Sequence, residues 1–234
     1  MAKAVKKHEP EDLFSKTTKR IEKFISENLT VLIICSAVAV VGLASYFSID
    51  YLIDRREKSA YSAFGKVYLS YKDIIENGEP EDETVNEKLL GLNEGFQKII
   101  EAYPNTYAAS ESAYFIGSIL YEAGRYDEAV EYFRKGYNIK SKSLIAILCL
   151  QGEASSYEQK EEYDLAEAAY RQIVDEYEDS FMAPLAKFNL GQLYEKQDKY
   201  SLAEREYSQI VTQYDWSSWK ELAEKRLLLI KGFI

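Results

Sequence analysis

Residues 117–137 read GSILYEAGRYDEAVEYFRKGY, and two more copies of the pattern follow: ASSYEQKEEYDLAEAAYRQIV at 154–174 and GQLYEKQDKYSLAEREYSQIV at 191–211. The offset is 37 residues each time. Four columns hold it independently: Gly117/Ala154/Gly191, Tyr126/Tyr163/Tyr200, Ala129/Ala166/Ala203 and Phe133/Tyr170/Tyr207. A fixed period between about 20 and 50 residues marks a stacked repeat architecture, in which each unit buries its apolar face on its neighbours. Each copy reads as two helices. The first copy runs from Ser110 to Ala123, turns at Gly124–Arg125 and resumes from Tyr126 to Tyr137. Small residues stand where two helices must approach closely, and aromatic residues stand where the next helix packs. The expected fold is therefore all-α, a solenoid of helical hairpins.

The flanks extend the array in both directions. Phe96 lies one period before Phe133, and Leu92 one period before Ala129. The segment from Thr84 to Ala102 is thus expected to be the second helix of a degenerate unit, whose first helix is Arg55–Ile75. Between these helices, Asn77 to Asp82 carries turn signals and acids. At the junctions, Pro104 stops one helix and Asn105 or Thr106 can cap the next, while Asp179 or Ser180 does so before Pro184. A last helix from Ser217 or Ser218 to Ile230 caps the array. The expected organisation is a leader (1–28), an apolar span (29–49), a linking and degenerate first helix (50–83), its partner (84–108), three full units (109–216) and a capping helix (217–234).

Leu29 to Ile49 contains no charged residue. Its 21 residues suffice to cross a hydrocarbon core about 30 Å thick. The long polar leader, and a span longer than a signal-peptide core, favour an uncleaved anchor. Lys16, Lys19, Arg20 and Lys23 precede the span, with Lys3, Lys6 and Lys7 further out; Arg55, Arg56 and Lys58 follow it. That modest bias puts the N-terminus in the cytoplasm and the array on the outer side. Leu13, Thr17, Ile21, Phe24 and Ile25 give the leader a short amphipathic helix suited to a membrane surface.

Charge is distributed unevenly. Residues 1–54 hold 7 basic and 7 acidic residues, leaving 22 basic and 32 acidic for the remainder, which carries the whole net charge of -10. So acidic an array argues against nucleic acid, whose phosphates need clustered Lys or Arg. Cys35 and Cys149 lie in different segments, which excludes a disulfide framework. His8, the one histidine, stands in the leader. That leaves the array without a serine triad or a His-based metal site, and no glycine-rich phosphate loop is present. No cofactor, metal or catalytic residue is expected. Asp127, Glu128, Glu161, Glu162 and Asp164 fall at turns and helix starts, where they suit the helix dipole.

On the Gly117/Ala154/Gly191, Leu120/Tyr157/Tyr194, Ala129/Ala166/Ala203 and Phe133/Tyr170/Tyr207 columns, the unit resembles a tetratricopeptide repeat. Gly136, Ile173 and Ile210 stand where that family usually has alanine, and three residues more than usual sit between units. The resemblance implies a concave face lined by the first helix of each unit. Carried over, that face comprises Tyr114, Ser118, Tyr121 and Glu122 in the first unit, Gln151, Ser155 and Glu158 in the second, and Phe188, Gln192 and Glu195 in the third. Lysines and asparagines that would grip a carboxylate-ended peptide are missing from these positions. The implied partner is then a neutral or basic segment, an apolar peptide or a folded subunit. The layout of basic leader, single span and outer repeat domain is similar to that of the ancillary periplasmic subunits of the bacterial Sec translocon. This implies an inner-membrane protein acting as an adaptor or chaperone-like factor, with translocon subunits or exported chains as partners. A self-associating envelope scaffold, possible as a homo-oligomer, is the alternative.

Overall fold

The computed structural model describes residues 13–78 and 83–233. Among them the regular elements are helices: α1 (Leu13–Asn77), α2 (Glu83–Ala102), α3 (Tyr107–Glu122), α4 (Tyr126–Ile139), α5 (Leu144–Gln159), α6 (Tyr163–Glu176), α7 (Ala183–Lys196), α8 (Tyr200–Gln213) and α9 (Trp219–Ile230). Lys3, Lys6, Lys7, His8, Pro10 and Asp12 of the leader, residues 79–82 of the first turn and Ile234 lie outside the described residues. The chain divides into two units, Met1–Asp54 and Arg55–Ile234.

In the first unit, α1 is interrupted at Asn28, whose backbone (φ -119, ψ 15) leaves the helical region. Its side-chain amide donates to the Phe24 carbonyl at 2.9 Å. From Leu29 onward the apolar side chains are exposed along the whole stretch. Among the described residues, this helix is the one long and apolar enough to cross a membrane by length and composition. Ser36 and Ser48 donate their hydroxyls to the carbonyls of Ile33 and Ala44. An apolar surround makes such internal satisfaction necessary.

In the second unit, successive helices pack as antiparallel hairpins. The degenerate hairpin closes through aromatic rings: Phe64 lies 5.8 Å from Phe96, which stacks on Phe115 at 5.5 Å. The three full hairpins turn by one device. Gly124, Glu161 and Asp198, one period apart, all adopt positive φ (72, 60 and 57°). Arg125, Glu162 and Lys199 then donate their backbone N–H groups to the carbonyls of Leu120, Tyr157 and Tyr194, at 2.8–3.0 Å. Partner bonds spanning three residues run from the N–H groups of Gly124, Glu161 and Asp198 to the carbonyls of Tyr121, Glu158 and Glu195. This is a Schellman closure, which satisfies the last carbonyls of the first helix. Only the first unit fills the left-handed position with glycine.

Thr106, in extended conformation, caps α3 by accepting from the Ala109 N–H, and Ser143 does the same for Ala146. With Thr106 as cap, α3 starts at Tyr107, three residues before the start read from the sequence. Ahead of α7, Ser180 accepts from Met182, and Pro184 falls in the first turn. The core forms two clusters, one centred on Phe64, Phe96, Ile116 and Phe133, the other running from Leu150 through Tyr170, Tyr194 and Tyr207 to Ile230. Cys149 is fully buried, and burial pushes its thiol well above its ordinary range. It is a packing residue, a small buried hydrophobe.

Candidate protein-binding cleft

The first helices of consecutive units stand side by side, and the space between α3 and α5 is not filled. Tyr114, Ser118, Tyr121 and Glu122 from α3 face Leu148, Gln151, Gly152 and Ser155 from α5, with Phe133 of α4 as the floor. They enclose a cleft of about 220 Å³. Gly152 accounts for the opening. A Cβ there would stand 2.5 Å from the Phe133 ring, and one on Gly117 would stand 2.8 Å from it. The ring is therefore held between two glycine backbones, and no side chain at 152 covers it.

Tyr114 packs its ring 5.9 Å from Phe133, and the Ser118 hydroxyl donates to the Tyr114 carbonyl. Tyr121 meets Tyr126 edge-on at 5.5 Å. Burial, followed by the nearby Tyr126 and Glu122, raises the Tyr121 phenol above its ordinary range, against a hydrogen bond with Gln159. Glu122 is exposed and makes no hydrogen bond or ion pair among the described residues.

Six of the ten positions expected to form the concave face, Tyr114, Ser118, Tyr121, Glu122, Gln151 and Ser155, thus come together here. The structure places the other four elsewhere. Phe188 is 4% exposed, packed 5.4 Å from Tyr207 and 5.2 Å from Trp219. Gln192 is exposed on α7. Glu158 accepts from the Tyr170 hydroxyl at 2.7 Å and pairs with Lys196. Glu195 accepts from the Tyr207 hydroxyl and from Arg226. These carboxylates tie the second helix of their own unit to the first, and Lys196 and Arg226 supply the countercharge.

The same pairing explains a departure in the first unit. Glu158 and Glu195 occupy the column in which the first unit has Tyr121, and the facing column reads Phe133, Tyr170, Tyr207. Where the first helix offers a carboxylate, the second offers a hydroxyl; where it offers Tyr121, the second offers a ring without one. Burial is the first cause that raises the Tyr170 and Tyr207 phenols well above their ordinary range, with the facing glutamates adding to it. Both therefore remain donors throughout the physiological range.

Phe133, Leu148 and Gly152 belong to the cleft and were not among the positions read from the sequence. Phe133 read as a core column, and the signal that was available for Gly152 is its place one residue after Gln151 on the same helix. Among the described residues, no group of His, Cys, Asp and Glu is placed to hold a metal ion.

The fold is a helical-hairpin solenoid with an open cleft between the first helices of its first two full units. Residues 152–215 match a tetratricopeptide repeat family model, and residues 110–143 match a second tetratricopeptide repeat model. These stretches of the repeat array are similar to tetratricopeptide repeats, which generally mediate protein–protein contacts. No curated protein matches the chain.

Proposed function

We propose that the protein is a membrane-tethered interaction module, an adaptor or chaperone-like factor that works beside the secretion machinery. The span at 29–49 anchors it in the bacterial inner membrane, with the N-terminus cytoplasmic and the array on the outer side. Its partner is a protein or peptide segment, in the first place a translocon subunit or an exported chain. The observation that carries this reading is the convergence of six expected groove residues on one open cleft between α3 and α5. Tethering supports it further, because an anchored cleft meets membrane-proximal clients at a raised effective concentration.

The test is photocrosslinking in intact membranes from probes placed at Tyr114 and Gln151. Adducts with translocon subunits or unfolded exported chains are the expected result. Adducts with further copies of this chain alone would favour the scaffold reading, for which the exposed Leu222, Leu228 and Leu229 of α9 provide an apolar surface. Orientation has a separate test. A thiol reagent that cannot cross the inner membrane should label a cysteine introduced at Asn77 and leave one introduced at Lys16 untouched; the reverse pattern would invert the topology.

A further inference from the structure

We propose that the cleft between α3 and α5 takes a cationic side chain, lysine or arginine, from the partner segment. The inference rests on the reading of this cleft as a protein-binding site and specifies what it recognises. Its interior is apolar and aromatic, with Phe133 and Leu148 below and Tyr114 and Tyr121 at the sides; Glu122 stands among the lining residues. A long basic side chain matches that gradient, because its methylene stem covers apolar surface while its charged head seeks an anion. Tyrosine rings add attraction for a cation placed over their faces.

The charge arrangement around the cleft points the same way. Among the described residues, no lysine or arginine lines it. In the following units, the acids on the first helix already have partners of their own: Lys196 for Glu158, Arg226 for Glu195, and a tyrosine hydroxyl for each. Among the described residues Glu122 makes no ion pair and no hydrogen bond, although its charge reaches the phenols of Tyr71 and Tyr121, and the device that neutralises such groups operates twice in the same array. An exposed carboxylate costs nothing in isolation. Beside an open aromatic cleft, it supplies the countercharge a basic guest requires. The volume of about 220 Å³ is smaller than a typical drug-sized pocket of about 300–1,000 Å³, and suits one side chain more than a packed element.

The test uses the full chain in detergent micelles and blocked fluorescent decapeptides, identical except for one central residue: lysine, norleucine or glutamate. Anisotropy titration should show the lysine peptide bound roughly tenfold more tightly than the norleucine peptide, a ratio set by one partly exposed ion pair with a cation–π contact. Glu122→Gln should abolish most of that ratio, whereas Glu204→Gln, on an exposed face of α8, should leave it intact. Equal binding of lysine and norleucine, a preference that survives Glu122→Gln, or no binding of the lysine peptide at millimolar concentration overturns the proposal. The two levels remain distinguishable. Equal peptide affinities together with retained Tyr114 adducts to other proteins would refute the cation and keep the adaptor. Loss of both would refute both.

Discussion

Replacing Gly152 with alanine tests how the cleft is built. A Cβ at this position would meet Phe133 Cε1 and Cζ at 2.5 Å and Cε2 at 2.7 Å, against 3.4–4 Å for ordinary contact. The ring must therefore retreat by about 1 Å. It cannot do so toward α3, because it already lies against the Gly117 backbone, where a Cβ would stand only 2.8 Å away. Overpacking of this kind costs about 1–3 kcal/mol. Against it stands the helix-propensity gain of alanine over glycine, about 0.8–1 kcal/mol. The net expectation is a loss of about 1 kcal/mol. Gly91→Ala provides the control: it lies within α2 with nothing within 4 Å of its would-be Cβ, and should gain about 0.8–1 kcal/mol. Denaturant titration of the full chain in detergent, followed by helical circular dichroism, measures both. Phe133→Leu, itself destabilising, should cost less in the Gly152→Ala background than in the parent, because the shortened side chain relieves the clash. If Gly152→Ala proves as stabilising as Gly91→Ala, the ring is free to move and the account of the opening is wrong.

Three further outcomes follow from the same structure. Glu161→Gly should stabilise by about 0.5–1 kcal/mol, since an L-residue in the left-handed region costs about 1–2 kcal/mol, and Asp198→Gly should gain less because aspartate tolerates that region better; a loss in the same titration would show that the side chains contribute contacts of their own. Tyr207→Phe should cost about 1–2 kcal/mol, the loss of a hydrogen bond to a charged acceptor, softened because Arg226 still holds Glu195; no change would mean the hydroxyl is satisfied equally in the unfolded chain. Glu153 has its carboxyl raised above the ordinary 4.5 by burial, which outweighs the lowering by Arg134. Its contribution to stability is therefore fully present below about pH 4.5 and is lost as pH rises through the raised value in the fold. The stability of the parent relative to Glu153→Gln should fall between pH 4 and pH 7; a rise would show that pairing with Arg134 dominates.

The architecture was open to a reading of the sequence because a solenoid repeats its local physics. Gly117, Ala129 and Phe133 recur in kind at each period, since each unit packs on the next in the same way. The Schellman turn was legible only in its first copy, where Gly124 announces it; Glu161 and Asp198 give no such signal and take the left-handed conformation because the hairpin imposes it. The site was legible at its N-terminal end and less so beyond it. Tyr114 and Phe188 share a column, yet Tyr114 faces a cleft and Phe188 lies under Trp219 of the capping helix. The column fixes which way a side chain points and leaves open what the following helix lays over it. Glu158 and Glu195 read as groove acids for the same reason. Their engagement depends on Tyr170 and Tyr207, across the hairpin, and on Lys196 and Arg226 in later turns of the chain. The paired change from Glu and Tyr to Tyr121 and Phe133 was present in the columns and marks that engagement.

One column decides where the array stays open. Phe115, Gly152, Asn189 and Arg226 are successive occupants of the same repeat position. Phe115 turns its ring into the aromatic cluster with Phe64, Tyr71 and Phe96. Arg226 reaches back to Glu195 and ties the capping helix to α7. Gly152 offers no side chain at all, so the ring of Phe133 forms a floor and the groups beside it, Tyr114, Tyr121 and Glu122, are left facing the space. The three 37-residue units supply a common scaffold, and the cleft arises where one unit departs from it. A substitution at a shared column such as Ala129, Ala166 or Ala203, each fully buried, acts on stability. A substitution at 152 acts on stability and on the cleft together, and a substitution of exposed Glu122 has little effect on the fold and, on the proposal above, acts on recognition. That division lets crosslinking and denaturation, measured on the same variants, separate what holds the array together from what it holds.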